Sequence, residues 1–185
     1  MKRISISFFV LFLVSVIFSG CQENIYMDWK LANARFYNSL EDSMKYYAST
    51  NYTLLSSAYK ETNPPMLKKV DKNTGVYYYY KLYYGGTPGD TKPNANGNCY
   101  ILVDYKGTLI NDSVFDKSTD AQFTLSSTIT AWKDALPNFS KNAHLKLYVP
   151  SVLAYDTATT YLPTIPPHSL LIFDIRLKDV QNYYY

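Results

Sequence analysis

The stretch from Tyr100 to Asp116, YILVDYKGTLINDSVFD, constrains the fold of this chain more than any other segment. Residues 101, 103 and 105 alternate with residues 102, 104 and 106, and a period of two is typical of a half-buried strand. Gly107 lets the backbone bend, and the Asn-Asp pair at 111–112 supplies turn-forming side chains before the apolar pair at 114–115. The stretch therefore predicts a strand, a turn and the start of a second strand.

Similar patterns predict further strands along the chain. They cover the tyrosine-rich run at 76–84, a short piece at 123–125, a strand with apolar residues at 145, 147 and 149, and a final strand over 169–180. A short helix carries Ile129, Trp132 and Leu136 on one face, and Pro137 marks its end. We therefore predict the α+β class, with an antiparallel sheet packed against one short helix.

A second helix is predicted before this domain. Apolar residues recur at intervals of three and four from Asp28 onward, which places a stripe on one helix face: Trp29, Ala32, Phe36, Leu40 and Met44. One amphipathic face normally contacts a core, so we interpret this helix as a cover for the main domain. Residues 48–75 contain loop-forming residues and are interpreted as a connector.

The N-terminus has the layout of a secretory signal peptide over residues 1–20. Lys2 and Arg3 precede an apolar run that ends in Ser-Gly before Cys21. This junction resembles a bacterial lipobox, in which Cys21 is lipidated and anchors the protein in the cell envelope. An ordinary signal peptide with an incidental cysteine is the alternative. If Cys21 carries lipid, Cys99 is left alone and cannot form an intramolecular disulfide.

The balance of charges indicates no polyanionic partner. The chain has 18 basic and 15 acidic residues, and no basic run stands out along the sequence, so binding to nucleic acid is not predicted. The 20 tyrosines suit strands and wet interfaces. The run at 76–84 is compatible with stacking on carbohydrate, but we favour the explanation that β-favouring aromatic residues fill both faces of a strand.

Candidate functional residues in the 100–116 stretch point to binding rather than hydrolysis. The stretch contains no nucleophile, metal cluster or phosphate loop. It offers aromatic surface at Tyr105 and Phe115 beside the carboxylate of Asp116, which suits a hydrophobic cleft.

Four separated motifs then resemble a known family, the FKBP-type peptidyl-prolyl isomerases. In chain order they are VDYKGTLINDSVFDKS, FTLSSTITAWKDAL, LKLYVPSVLAY and IPPHSLLIFDIRL, and the resemblance covers roughly residues 75–180. It implies a domain over 75–185 in which a strongly bent antiparallel sheet wraps a short helix, without metal or cofactor. Residues 21–74, with the helix and linker, look like the segment ahead of this domain in Bacteroidetes-type lipoproteins.

The resemblance also implies a cleft between sheet and helix that acts on proline-containing polypeptides. Trp132 would receive the proline ring, Tyr155 would donate a hydrogen bond to a substrate carbonyl, and Asp116 would orient its neighbours. These three and Tyr105 are the implied catalytic residues. The implied substrate-binding residues are Phe115, Phe123, Ile129, Ile165 and Phe173, and His168 would lie near the rim.

The sequence departs from the family pattern in a few places. Ala131 stands where glycine usually precedes the tryptophan, Thr128 replaces an aliphatic residue, and Asp156 replaces a glycine after Tyr155. Asn142 replaces another glycine, and asparagine is a good substitute at a left-handed position. Two functions therefore stay open: a lipid-anchored isomerase that assists folding of exported proteins, and a non-catalytic binding or chaperone lipoprotein. A glycan-binding lipoprotein is a third, weaker reading, and the oligomeric state is left open.

Overall fold

The computed structural model describes residues 27–43, 62–157 and 164–183. The expected signal peptide, Cys21 and Met44 lie outside the described residues. Residues 27–43 form helix α1, and the domain that follows is an antiparallel sheet with one short helix, α2, from Thr130–Ala135. The predicted fold class is confirmed. Within the described residues, no helix combines the length and hydropathy needed to cross a bilayer.

The sheet has six strands in the order β1-β2-β5-β6-β3-β4, and every neighbouring pair is antiparallel. The strands are β1 Met66–Val70, β2 Tyr77–Tyr84, β3 Cys99–Thr108, β4 Val114–Thr124, β5 His144–Val149 and β6 Leu171–Asn182. Register shifts interrupt β3 against both of its neighbours, and such bulges bend and twist a sheet.

Both faces of the central strands are buried, because alternate residues pack into two different clusters. On β6, Phe173 and Ile175 face the main core, which also contains Trp132 of α2. Ile172 points the other way and packs with Tyr148 of β5 in a second cluster under α1. The domain therefore has three layers: α2, the sheet and α1. We call the α2 side the inner face and the α1 side the outer face.

Helix α1 is fixed to the outer face by apolar and polar contacts. Leu40 is 5% exposed, the Trp29 indole N–H donates to Ser169 Oγ over 2.9 Å, and Asn33 Oδ1 accepts the backbone N–H of Leu170 over 2.8 Å. A buried N–H needs such a partner. The prediction of a covering helix is confirmed.

Strand β1 was missed by the sequence analysis, which interpreted residues 48–75 as a connector. Its five residues, MLKKV, pair with β2 along their whole length. Two consecutive lysines obscure the strand pattern, although both are partly buried. Lys68 lies over the ring of Tyr77, with Nζ 3.9 Å from the centroid, and Lys69 contacts Asp134 of α2. The short strand predicted at 123–125 is the end of β4, and Leu125 begins a 3-10 turn.

Gly107 was also misread. It lies inside β3, and the turn comes later, where the Leu109 N–H donates to the Ser113 carbonyl over 2.9 Å. Asp112 adopts the left-handed region there, with φ 63°. A Cβ at Gly107 would lie 2.4 Å from Cζ of Phe115, so the missing side chain makes room for that ring. Gly107 makes room for the Phe115 ring, and the pairing of β3 with β4 shifts register directly after it.

Helix α2 is short and depends on neighbouring elements. It lies between 3-10 turns at Leu125–Ser127 and Leu136–Asn138, the second containing Pro137. On β2, the Tyr78 hydroxyl donates to Asp134 Oδ2 over 2.8 Å. On β1, Lys69 Nζ lies 2.9 Å from the same oxygen and donates to the Asp134 backbone carbonyl over 2.8 Å. These contacts tie α2 to the first two strands.

Candidate functional site

A cleft of about 370 Å³ opens on the inner face between the β3–β4 hairpin, α2 and the segment after β5. Its walls are formed by Tyr105, Phe115, Asp116, Phe123, Ser127, Thr128, Ile129, Thr130, Trp132, Ala154, Tyr155 and Phe173. The aromatic rings come from five segments of the chain: β3, β4, α2, the segment after β5, and β6. The strand residues reach the cleft through the alternation of the strands and through the register shifts in β3 and β4.

The floor of the cleft is Trp132, which is 4% exposed. Three rings meet the indole edge-on: Phe173 at 5.4 Å, Tyr105 at 5.6 Å and Phe123 at 5.9 Å between centroids. Their interplanar angles lie between 78° and 87°. Edge-on pairs are favourable for aromatic quadrupoles, so the rings hold the indole in one orientation.

The wall formed by Phe115 depends on the absence of a side chain at Gly107. The Phe115 ring reaches over Gly107 and meets Phe173 edge-on, with centroids 5.5 Å apart and planes at 88°. The register pairs Gly107 with Asp116 and the next residue of β3 with Val114. Phe115 is therefore the extra residue of a β-bulge, and this irregularity lets its ring lie on the same face as Asp116. Phe115 thus connects the hairpin to β6 at the edge of the cleft.

The carboxylate of Asp116 accepts a hydrogen bond from another residue of the cleft. Its Oδ2 accepts the Tyr105 hydroxyl proton over 2.6 Å. Burial raises the pKa of Tyr105 well above its ordinary value, and the hydrogen bond to Asp116 raises it further. The phenol is therefore neutral at physiological pH and acts as a fixed donor to the carboxylate.

Tyr155 enters from the segment after β5. The 3-10 turn Ser151–Leu153 precedes it, and Asp156 closes the turn by donating its N–H to the Ser151 carbonyl over 2.8 Å. Asp156 has φ 48°, so the residue that replaces glycine does adopt the left-handed region. Burial and then Asp116 raise the pKa of the Tyr155 hydroxyl. Among the described residues, that hydroxyl has no hydrogen-bond partner.

The remaining wall is polar. Ser127, Thr128 and Thr130 line it, although the Thr128 hydroxyl donates to the Leu125 carbonyl over 2.7 Å and is already satisfied. Ala131 is fully buried in the main core and is not part of the lining, so its methyl group does not narrow the floor.

The structure brings together all but one of the residues expected at this site. Ile165 does not line the cleft; it is 6% exposed and packs in the main core, because it precedes the turn into β6. Its role as a substrate-binding residue stays a prediction. His168 has φ 60° and donates its backbone N–H to the Asp156 carbonyl, which places these two residues next to each other. The sequence analysis missed Ser127, Thr130 and Ala154, whose only signal was adjacency to Thr128, Ile129 and Tyr155.

The residues around the cleft suit binding and water exclusion rather than covalent chemistry. Among the described residues, the lining contains no histidine or cysteine, and its carboxylate belongs to Asp116, which accepts a hydrogen bond from Tyr105. In the part of the chain that the structure describes, no group of three or more histidine, cysteine or acidic side chains could hold a metal ion. The Tyr155 hydroxyl and the Trp132 indole N–H have no partner among the described residues and are donors available to a ligand.

The comparisons with known proteins agree on one family. Residues 89–178 match the family model for FKBP-type peptidyl-prolyl cis-trans isomerases. The chain is 41% identical over 110 residues to the FKBP-type peptidyl-prolyl cis-trans isomerase FkpA of Escherichia coli, which covers 57% of the chain and 37% of that protein. It is 38% identical over 107 residues to the peptidyl-prolyl cis-trans isomerase Mip of Coxiella burnetii, covering 56% of the chain and 44% of that protein.

A third relative is the outer membrane protein MIP of Legionella longbeachae, 34% identical over 107 residues, covering 56% of the chain and 44% of that protein. The chain thus spans less than half of the length of these relatives. The crystal structure of Escherichia coli FkpA has the same fold, with a TM-score of 0.62 at 24% identity over 98% of this chain and 75% of that one. A peptidyl-prolyl cis-trans isomerase from Pseudomonas syringae gives a TM-score of 0.51 at 26% identity, over 77% and 96% of the two chains.

Proposed function

The chain carries an FKBP-type peptidyl-prolyl cis-trans isomerase domain, and from this premise we propose that its cleft isomerises Xaa-Pro bonds in exported proteins. The observation that carries the proposal is the aromatic cleft itself, with Trp132 as a floor under three edge-on rings. Such a cleft can receive a proline ring and its flanking peptide bonds away from water.

The chemistry requires no nucleophile. A peptide bond rotates over a barrier of about 20 kcal/mol because resonance makes it partly double, and proline removes most of the trans preference but little of the barrier. Twisting breaks the resonance and reduces the charge separation between oxygen and nitrogen. A dry aromatic cleft penalises the polar planar form more than the twisted form, and each ~1.36 kcal/mol of this difference is a tenfold gain in rate.

We assign the roles from position in the cleft. Trp132 lies beneath the proline ring, and Tyr155 donates its free hydroxyl to a substrate carbonyl. Asp116 holds Tyr105 in place through their hydrogen bond. The other side chains exclude water around the twisting bond: Phe115, Phe123, Ile129 and Phe173.

We place this activity in the cell envelope, with the chain attached through a lipid on Cys21. The support is the signal-peptide pattern before that residue, and one relative bears the name outer membrane protein. In this arrangement the domain meets polypeptides after export, when their Xaa-Pro bonds still have mixed isomers.

A second candidate is a binding module that holds proline-containing segments without turning them over. The polar wall at 127–130 favours it, since hydroxyl groups reduce the penalty that the cleft imposes on the planar amide. The two candidate functions share a ligand, but they differ in the rate at which the bound Xaa-Pro bond isomerises.

The discriminating experiment uses the full chain in detergent with an Xaa-Pro peptide, and measures peptide affinity and isomerisation rate separately. Tyr155→Phe removes the proposed donor, and Tyr100→Phe is the matched control at an exposed tyrosine far from the cleft. The isomerase proposal predicts catalysis that Tyr155→Phe lowers about tenfold and Tyr100→Phe leaves intact. Tight binding with no acceleration by the unmutated chain would select the binding module.

A further inference from the structure

One cross-strand row on the outer face of the sheet is almost entirely basic. The register pairs Lys81 of β2 with Lys146 of β5, and Lys146 with Asp174 of β6. It then pairs Asp174 with Lys106 of β3, and Lys106 with Lys117 of β4. Directly paired residues in an antiparallel sheet share a face, so four lysines and one aspartate form a single line, which we call the basic row.

The charges of the basic row are only partly compensated within the fold, since Asp174 interacts electrostatically with Lys146 and with Arg176. None of its four lysines makes an ion pair with a carboxylate among the described residues. The acidic residue of the row is Asp174, whose Oδ1 lies 2.9 Å from His144 Nε2. The hydrogen bond to His144 is the main cause that lowers the pKa of this carboxyl. The row holds four positive charges against one negative charge in a chain whose formal net charge is only +3.

A recess adjoins the basic row on one side. The next cross-strand row contains His144, Arg176 and Asp104, and a cavity of about 690 Å³ opens there. Lys178 lies 3.5 Å from Asp104, whereas Arg176 makes no ion pair within the described ranges. The recess therefore adds another cation without a bound carboxylate to the same face.

Helix α1 runs along the other side of the basic row. It packs on Tyr79, Tyr148 and Ile172. Each of these residues stands two positions from a member of the row on the same strand, a distance of about 6.6 Å along the strand. Thus α1 covers the apolar row of the outer face and leaves the neighbouring basic row open.

We propose that the basic row is a docking surface for the anionic headgroups of a membrane. The row crosses five strands, about 19 Å at the usual strand spacing, and presents separated point charges, which suits a charged plane. Attraction to anionic lipid is a recognised second signal that stabilises a lipid anchor. The cleft is on the opposite, inner face, so docking leaves it open to polypeptides.

A membrane is favoured over another polyanion because of what precedes α1. The apolar run at 4–18 and Cys21 stand directly before the helix that flanks the row. The connection from Cys21 to residue 27 spans at most about 20 Å when extended, so the row and a membrane attached at Cys21 are within reach of each other. In this respect the inference rests on the membrane attachment proposed above.

The test is sedimentation of the full chain with neutral phosphatidylcholine vesicles and with vesicles enriched in phosphatidylglycerol. Binding to neutral vesicles reports the N-terminal attachment, and the additional binding to anionic vesicles reports the basic row. The triple variant Lys81→Gln, Lys106→Gln, Lys146→Gln is compared with Lys72→Gln, Lys92→Gln, Lys133→Gln, which changes three exposed lysines outside the row.

We expect the ratio of anionic to neutral binding to fall about tenfold or more in the row variant and to stay near the unmutated value in the control. Unchanged isomerisation and circular dichroism show that the row variant is folded. The proposal is overturned if the row variant has the same ratio of anionic to neutral binding as the unmutated chain, whatever the absolute binding to neutral vesicles. It is also overturned by a row-dependent affinity for polyglutamate without one for anionic vesicles, which would identify an acidic polypeptide as the partner. If the unmutated chain does not bind neutral vesicles but still shows the row-dependent binding to anionic vesicles, only the attachment through Cys21 is overturned.

Discussion

The phenolic oxygen of Tyr105 lies 2.6 Å from Oδ2 of Asp116, and this hydrogen bond joins β3 to β4 at the wall of the cleft. The same ring meets Trp132 edge-on at 5.6 Å. The carboxylate therefore positions a ring that contacts the floor.

Replacing this hydroxyl should affect activity more than folding. In Tyr105→Phe the ring remains but Asp116 loses its donor. Because Asp116 is only partly buried, water can replace that donor, so the loss of stability stays below the ~1.5–3 kcal/mol that a hydrogen bond to a charged group contributes. We expect kcat/KM for an Xaa-Pro peptide to fall about tenfold or more, with the denaturation midpoint nearly unchanged, while Tyr100→Phe alters neither. Equal kinetics for the two variants would show that the Tyr105–Asp116 pair has no role in the cleft.

The Gly107–Phe115 contact gives a prediction about cleft shape. Gly107→Ala places a methyl group 2.4 Å from the Phe115 ring, so the ring must leave its position against Phe173. We expect a loss of about 1–3 kcal/mol in the free energy of unfolding together with weaker peptide binding. The double variant Gly107→Ala, Phe115→Leu should recover stability but not binding. Urea unfolding and peptide titration measure the two effects, and a stable, fully active Gly107→Ala protein would contradict the close packing.

The Tyr78–Asp134–Lys69 contacts predict a structural role for β1. Asp134→Ala leaves the buried Tyr78 hydroxyl without its acceptor and removes the carboxylate beside Lys69, whose ammonium keeps only the backbone carbonyl of residue 134. This should lower the free energy of unfolding by about 2 kcal/mol. Lys133→Ala, one residue earlier in the same helix, is the matched control for helix propensity. If the two variants unfold at the same urea concentration, α2 does not depend on these strands.

Much of the fold could be predicted because the sequence pattern and the burial agree. In β6 the alternation of Phe173 and Ile175 with polar neighbours matches their burial, and the three-four spacing of Trp29, Phe36 and Leu40 matches the covered face of α1. Strand β1 was not predicted because its lysines interact with tyrosines of β2, and these contacts exist only once the two strands are paired in the sheet.

The cleft was predictable only through family motifs, since its rings come from elements far apart in the chain. Even so, the motif that contains Ile165 did not reveal that this side chain turns into the core. Nothing in the sequence links Tyr78 or Lys69 to Asp134, because they are separated by 56 and 65 residues. Gly107 was misread because a glycine in a strand and a glycine in a turn look alike in sequence.

Buried tyrosines should make the protein sensitive to alkali. Burial raises the pKa of Tyr148 to about 12, from an ordinary value near 10, and burial likewise raises the pKa of Tyr105. The neutral form is favoured in the folded state, so stability is complete below about pH 10 and falls as the pH rises through the folded value. The slope for one such tyrosine is up to about 1.4 kcal/mol per pH unit.

Urea unfolding at a series of pH values checks this dependence. We expect a flat region between pH 7 and 9 and a decline from about pH 10 upward. Tyr148→Phe should make the decline shallower, with Tyr100→Phe as the control at an exposed position. A stability that rises above pH 10 would contradict the direction of these pKa shifts.

The central claim is that the aromatic cleft lowers the barrier to rotation about an Xaa-Pro bond. Exchange NMR on an Xaa-Pro peptide with a sub-stoichiometric amount of the full chain tests it most directly. We expect cis-trans exchange well above the uncatalysed rate, and a fall of about tenfold or more in Trp132→Leu, which removes the floor, once circular dichroism shows that the variant is folded. Exchange no faster than in the peptide alone, at concentrations where the peptide is bound, would contradict the claim.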